Sequence, residues 1–210
     1  AAANVVLGDA GKQAEERAVA LKPFEAKLAE MTKQAEAVAE TVGEAFLQLL
    51  AERGVEYFFA NAGTDFAPII EAYAHAQSAG MAVPKPVTVP HENVAVGAAV
   101  GYYLMSGRTQ AVMVHVNVGV ANALCGLFNA RRGNVPVLFM SGRTPITESG
   151  HQGSRNVHIH WTQEMFDQAG IVREATKWDY ELRTGLQLET VLDRALRIAC
   201  LLYTSDAADE

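Results

Sequence analysis

Short apolar runs alternate with stretches where apolar residues recur every three or four positions, and this rhythm extends from residue 41 to residue 199. It is densest over residues 87–122. Residues 87–90 form an apolar run that predicts a strand, with His91 and Glu92 at its carboxyl end. Residues 93–105 then place Val96, Ala99, Val100, Tyr103 and Leu104 at helical spacing. Gly97 and Gly101 stand four apart on one face, a spacing that lets another backbone come close. Ser106 and Gly107 close that helix. Residues 111–116 are the next strand, ending in a glycine turn through His115, Asn117 and Gly119.

The flanking pattern is similar. Residues 41–53 predict an amphipathic helix with Thr41 and Glu44 as a capping box, Val42, Phe46, Leu49 and Leu50 as its buried stripe, and Gly54 as its stop. A strand follows at 55–60, then a turn, Asn61-Ala62-Gly63-Thr64-Asp65, and a helix at 66–76. Residues 78–86 are a Gly/Pro loop. A helix is predicted at 120–131, a strand at 135–140, a long polar loop at 141–160 and a short helix at 161–167. A fifth strand is expected at 171–176 and a final helix at 189–199, with Val191, Leu192, Ala195, Leu196 and Ala199 on one face. Strands alternating with helices imply an α/β fold, a three-layer α/β/α arrangement around a parallel sheet. Residues 1–40 are rich in Ala, Glu and Lys with only a thin apolar stripe, and predict a solvated helical extension broken near Pro23.

Composition narrows the function classes. The 210 residues are half hydrophobic and one fifth charged, with a net charge of −7, which argues against nucleic acid as a partner. Two cysteines, Cys125 and Cys200, fit a reducing compartment, so a cytoplasmic location is expected. Cys125 is read as a small core residue beside Leu124 and Phe128. No apolar run approaches the length of a membrane span, and no signal peptide is evident. The chain does not begin with Met, which fits a fragment.

Candidate chemistry follows from position. In open α/β sheets ligands collect at the carboxyl ends of strands. Glu92 and His115 both stand there, on strands successive in the chain. Glu92 is either a site carboxylate or a helix N-terminal carboxylate facing free amides. His115 is either a proton relay, since imidazole titrates near neutrality, or a strand-end histidine bonded to backbone. His151, His158 and His160 share one polar loop with Glu164. His-x-His can ligate zinc, but no cysteine is near and one loop supplies everything, so no metal site is assigned. No G-x-G-x-x-G or Walker A motif follows a strand, so a nucleotide-binding module lacks its phosphate cradle.

Several ordered motifs together carry a resemblance. They are Phe58-Phe-Ala-Asn-Ala-Gly63, His91-Glu92 with the small-residue helix ending near Gly101-Tyr102, and Val114-His115-Val-Asn-Val-Gly119-Val-Ala-Asn122. Val135-Pro-Val-Leu-Phe-Met-Ser-Gly142, Gln163-Glu164 and Thr176-Lys-Trp-Asp-Tyr180 complete the set. In this order they resemble the amino-terminal, pyrimidine-binding (PYR) domain of thiamine-diphosphate enzymes, nearest to acetolactate synthase large subunits and benzoylformate decarboxylase-type enzymes. The likeness covers residues 41–199. Two departures stand out: Asn61-Ala-Gly-Thr-Asp65 replaces the synthases' Y-P-G-G-A, and Val118 stands where they carry Pro.

The resemblance implies the thiamine-diphosphate-binding fold and roles for particular residues. In such enzymes the glutamate matching Glu92 hydrogen-bonds the aminopyrimidine, and the cofactor is the electron sink for chemistry on a 2-oxo acid. Asn61, Ala62, Gly63, Thr64, Glu92, Val118, Gly119 and Asn122 fall where the family holds the cofactor. His115 matches the decarboxylase's active-site histidine, and Gln163 and His115 fall near its substrate. Thiamine diphosphate and Mg²⁺ are the implied cofactors, with FAD left open. The implied partners are a small 2-oxo acid and a pyrophosphate-binding (PP) domain of a second subunit in a homodimer or homotetramer.

The family's last strand, G-P-V-x-L-x-x-P, does not follow residue 199, and residues 200–210 read as an adapter-derived tail. The expectation is therefore a truncated PYR domain with half a site, inactive alone. Three classes stand: this enzyme fragment, a non-catalytic α/β nucleotide-binding module, and a regulatory family member. His115 and Lys177-Trp178 lean toward decarboxylation, whereas Asn122 and Gln163-Glu164 lean toward carboligation.

Overall fold

A computed structural model describes residues 39–151 and 153–201, together with Lys22. Among the described residues four strands form one parallel sheet: β1 (Tyr57–Asn61), β2 (Lys85–Thr88), β3 (Gln110–Val114) and β4 (Val137–Ser141). Their order across the sheet is β2-β1-β3-β4. The chain therefore moves from β1 outward to β2, crosses back over β1, and continues through β3 to β4. The reversal lies between β1 and β3, where a doubly wound sheet opens a crevice at its carboxyl edge.

Helices cover both faces. On one side lie α1 (Val42–Glu52), α2 (Ala67–Ala79) and α6 (Leu188–Cys200); on the other lie α3 (Glu92–Ser106) and α4 (Val116–Arg132). A four-residue helix, α5 (Ile159–Thr162), sits in the loop after β4. Side chains alternate across the sheet, as the strand period requires. Phe58, Ala60, Ala111 and Met113 join Leu47, Leu50, Ala72 and Leu192. Phe59, Val112 and Val114 join Val96, Ala99, Ala123 and Leu127. Central β3 is buried throughout, whereas edge strand β2 is mostly exposed and tolerates Pro86. Gln110 opens β3 fully buried, its Oε1 accepting the N–H groups of Glu56 and Tyr57 at 3.0 and 2.7 Å.

The α/β class, the parallel sheet and its flanking helices match expectation; several details differ. The predicted fifth strand at 171–176 is absent. Those residues form two 3-10 turns, Ala169–Ile171 and Arg173–Ala175, which satisfy their own backbone through Val172 N–H to Ala169 O and Ala175 N–H to Val172 O. Asp167 accepts from Gly170 N–H at 2.9 Å and starts the first turn. Val172 and Ala175 are still buried, but against α4 rather than in the sheet. The short helix expected at 161–167 is α5, shifted to Ile159–Thr162. Strand β2 begins two residues early, and α4 begins at Val116 instead of residue 120.

Side-chain facing also differs. Val42 and Leu104 are 50% and 68% exposed, and the fully buried residues of α1 are Leu47 and Leu50. Thr41 Oγ1 accepts from Glu44 N–H at 3.2 Å as a capping box requires, but the Glu44 carboxylate turns to Glu40 N–H at 2.7 Å. Cys125 is exposed, because α4 buries Val120, Ala123, Leu127 and Ala130 and a cysteine two positions past Ala123 points away. Among the described residues, Gly97 and Gly101 face open space and mediate no close approach. The close approach of α3 to α4 occurs at Gly126, where a Cβ would come within 3.0 Å of Val96 and 2.6 Å of Asn93 Oδ1. The predicted extension before residue 39 lies outside the described residues apart from Lys22, as does the tail beyond residue 201.

Candidate active site

Glu92 is the first residue of α3, at the carboxyl side of β2, and is 6% exposed. His91 is the N-cap and its Nδ1 accepts from Asn93 N–H at 3.1 Å. That nitrogen lies 3.9 Å from Glu92 Oε2 but is engaged as an acceptor, so it brings no proton to the carboxylate. The hydrogen bond that reaches Glu92 comes from across the helix pair: Asn122 Nδ2 donates to Oε2 at 3.2 Å. A helix-capping carboxylate would take a backbone amide; among the described residues, Glu92 takes a side-chain amide instead. The packing of α4 on α3 at Gly126 is what brings Asn122 into range.

A second cluster stands at the ends of β1 and β3. His115 is the N-cap of α4, with its side chain 19% exposed. Its Nδ1 lies 2.5 Å from Asp65 Oδ1, and its Nε2 lies 3.2 Å from Gln163 Nε2. The other Asp65 oxygen accepts from Val116 N–H at 3.3 Å, and the Asp65 side chain is only 7% exposed. Val116 has φ +30°, which a β-branched residue adopts only under local strain. Two glycines make room for the pair. A Cβ on Gly63 would overlap the His115 ring, and one on Gly142 would overlap the Asp65 carboxylate.

The long loop after β4 supplies Gln163. Its conformation is held by Arg155, whose buried guanidinium donates to Pro145 O at 2.8 Å and pairs with Glu148 and Glu164. Gln168 Nε2 donates to Ser141 Oγ and Gly142 O, both at 2.8 Å, and Arg143 reaches Met165 O at 2.8 Å. Asn117 Nδ2 donates to Gln163 O at 3.2 Å, which ties the loop to the first turn of α4.

The structure thus divides the sequence-predicted residues into two groups at one sheet edge. Glu92 and Asn122 meet directly, and Gly63, His115 and Gln163 meet around Asp65. Asn61 ends β1 with its amide donating to Val89 O at 3.0 Å, so it braces the approach to Glu92. Ala62 and Thr64 are exposed on the turn, Val118 is 51% exposed, and Gly119 is buried in the first turn of α4. Asp65, Asn117 and Gly142 were not among the predicted site residues. Asp65 ends the Gly63-Thr-Asp65 turn, which departs from the pattern of the synthases it resembles, and that departure is its signal in the sequence. His151, His158 and His160 remain in the loop, and no group of three or more His, Cys, Asp or Glu among the described residues is placed to hold a metal.

The family model "Thiamine pyrophosphate enzyme, N-terminal TPP binding domain" matches residues 40–171. The chain is 38% identical over 101 residues to a Mycobacterium tuberculosis protein named "Putative acetolactate synthase large subunit IlvX", covering 47% of this chain and 18% of that protein. It is 28% identical over 170 residues to acetolactate synthase of Arthrospira platensis, covering 80% of this chain and 28% of the relative. It is 26% identical over 153 residues to the acetolactate synthase large subunit of Lactococcus lactis, covering 73% and 24%. The chain thus spans about a quarter or less of the length of most of these curated relatives. The matched region contains every strand of the sheet and both clusters at its carboxyl edge, and on that evidence the chain belongs to the thiamine pyrophosphate enzyme family, as its N-terminal TPP-binding domain.

Proposed function

We propose that this chain forms the pyrimidine-binding half of a thiamine-diphosphate site in an enzyme acting on 2-oxo acids. The observation that carries this reading is Glu92, a buried carboxylate held by the neutral amide of Asn122. Such a carboxylate, with no Lys or Arg paired to it among the described residues, suits a heteroaromatic ring nitrogen that shares a proton. The residues therefore fit the group. Glu92 would hold the ring nitrogen and keep or release a proton at its carboxyl oxygens, and Asn122 would orient that carboxylate. Asn61, Ala62, Gly63, Thr64, Val118 and Gly119 would shape the surrounding wall. When bound, thiamine diphosphate supplies an electron sink for cleavage beside a 2-oxo acid's carbonyl.

His115 favours a reaction in which a proton is delivered to or taken from substrate at the end of β3, with Gln163 beside it. That supports decarboxylation, while acetolactate synthase relatives support carboligation. The diphosphate, its Mg²⁺ and the partner subunit belong in this reading to a PP domain in a homodimer or homotetramer.

The test is turnover of pyruvate and benzoylformate by the full-length protein with thiamine diphosphate and Mg²⁺, in wild type and Glu92→Gln. Cofactor-dependent turnover that collapses in Glu92→Gln supports the reading, and the products separate the two reactions. Turnover indifferent to Glu92, or cofactor binding with no turnover of any 2-oxo acid, overturns it.

A further inference from the structure

The least expected feature of the sheet edge is a carboxylate, an imidazole and an amide in line, drawn from three separate segments. We propose that Asp65 and Gln163 are positioning residues that hold His115 in a single neutral tautomer, with its proton on Nδ1 and the Nε2 lone pair presented at the carboxyl end of β3. The proposal rests on the reading of the site just given, in which His115 handles protons.

The donor inventory leads to the tautomer. An ionised carboxylate only accepts, so the 2.5 Å contact of Asp65 Oδ1 with Nδ1 requires a proton on Nδ1. In the neutral ring Nε2 is then an acceptor, and the Gln163 amide N–H faces it at 3.2 Å. The Asp65 contact carries the assignment, and the Gln163 amide as it is oriented agrees with it.

The Asp65 carboxylate is itself oriented. Val116 N–H takes Oδ2 at 3.3 Å, leaving Oδ1 for the imidazole. Gly63 and Gly142 leave space that no other residue type would leave. The strained Val116 backbone, which aims this N–H, is a local cost that the rest of the cluster offsets. A bland strand-end histidine requires none of these features.

The same frame serves the second protonation state. Once the Gln163 amide swings off Nε2, that lone pair takes the proton of a substrate hydroxyl, giving an imidazolium and leaving the substrate oxygen as an alkoxide. Asp65 keeps its bond to Nδ1–H. The Gln163 amide turns over, so that its carbonyl oxygen accepts from the new Nε2–H. No residue other than the amide end of Gln163 has to move.

The experiment is ¹⁵N NMR of the imidazole nitrogens in the labelled chain at mildly alkaline pH, with His115 assigned by its loss in His115→Gln. Wild type should show Nδ1 protonated and Nε2 bare. In Asp65→Asn the single carbonyl oxygen is claimed by Val116 N–H and the new NH₂ faces Nδ1, so the tautomer should reverse. Gln163→Leu should keep the wild-type tautomer, because it removes only the Nε2 partner. A wild-type ring with the proton on Nε2 or averaged between nitrogens overturns the proposal, as does an unchanged tautomer in Asp65→Asn. If Asp65→Asn fails to fold, the wild-type and Gln163→Leu spectra decide alone. The spectra need no cofactor, so failure here is distinct from failure of the Glu92 assignment, which is read by turnover.

Discussion

Asp65 and His115 are fifty residues apart in the chain and 2.5 Å apart in the fold. They meet because β1 and β3 are parallel neighbours with Asn61 paired to Val114, so the turn after one strand faces the residue after the other. Gly63 and Gly142 lie directly behind the ring and the carboxylate. The pair is therefore sensitive to volume at positions that carry no chemistry. Gly63→Ala should force the His115 ring out of place and cost about 1–3 kcal/mol of stability, as overpacking does elsewhere. Urea denaturation measures the stability, and the imidazole ¹⁵N signals of His115 report the displacement. An unmoved ring at wild-type stability would show that the packing against Gly63 is loose.

Glu92→Gln keeps size and shape and still offers an oxygen to Asn122 Nδ2. The fold should survive, with a urea midpoint near that of wild type. Under the proposed function, thiamine-diphosphate-dependent turnover in the full-length protein should fall by about 10²–10⁴-fold, the span of general acid–base contributions.

Gln110 makes a sharper prediction about stability than any apolar core residue. Its buried amide oxygen serves Glu56 N–H and Tyr57 N–H, and its Nε2 donates to Arg108 O at 3.2 Å. Gln110→Leu preserves apolar volume but strands two amides at the start of β1. Each stranded group costs roughly 1–3 kcal/mol. The expected loss in ΔG of unfolding exceeds that of Leu→Ala at an exposed position such as Leu186, and chemical denaturation of the two variants compares them directly.

Acid sensitivity should trace partly to Glu44. The Glu40 N–H bond holds its carboxyl below the ordinary value of 4.5; burial opposes that shift and His75, 3.2 Å away, adds to it. A carboxyl depressed in the folded state contributes stability that is fully present above its unfolded pKa and is lost as pH falls through the folded value. Wild type should therefore exceed Glu44→Gln in urea midpoint at neutral pH, and the gap should close on acidification well below pH 4.5. A gap that persists in acid would mean that Glu44 acts through packing alone.

Much of this protein was written in local pattern. The strand runs near residues 57, 87, 111 and 137 and the apolar stripe of α6 are consequences of periodicity, and the cap at Thr41 is local side-chain chemistry; neither needs knowledge of neighbours. The same holds for the strand-end positions of Glu92 and His115, since any parallel α/β sheet gathers them at one edge. The segment at 171–176 defeated that logic. Its β-branched start resembles a strand, yet hydrogen bonds within the segment and burial of Val172 and Ala175 against α4 favoured 3-10 turns.

What the amino-acid sequence determined alone was the class of fold, the residues at the carboxyl edge of its sheet and the family they resemble. Tertiary structure decided which of those residues meet. Strand order put β1 between β2 and β3, and that adjacency, a matter of sheet pairing, brought Asp65 to His115. Helix packing at Gly126 brought Asn122 to Glu92, while Gly97 and Gly101, with the more conspicuous spacing, were left facing open space. Periodicity reports which side of an element is apolar; it carries no information about which partner covers that side. Pairings between distant segments depend on the register and order of the elements that carry them.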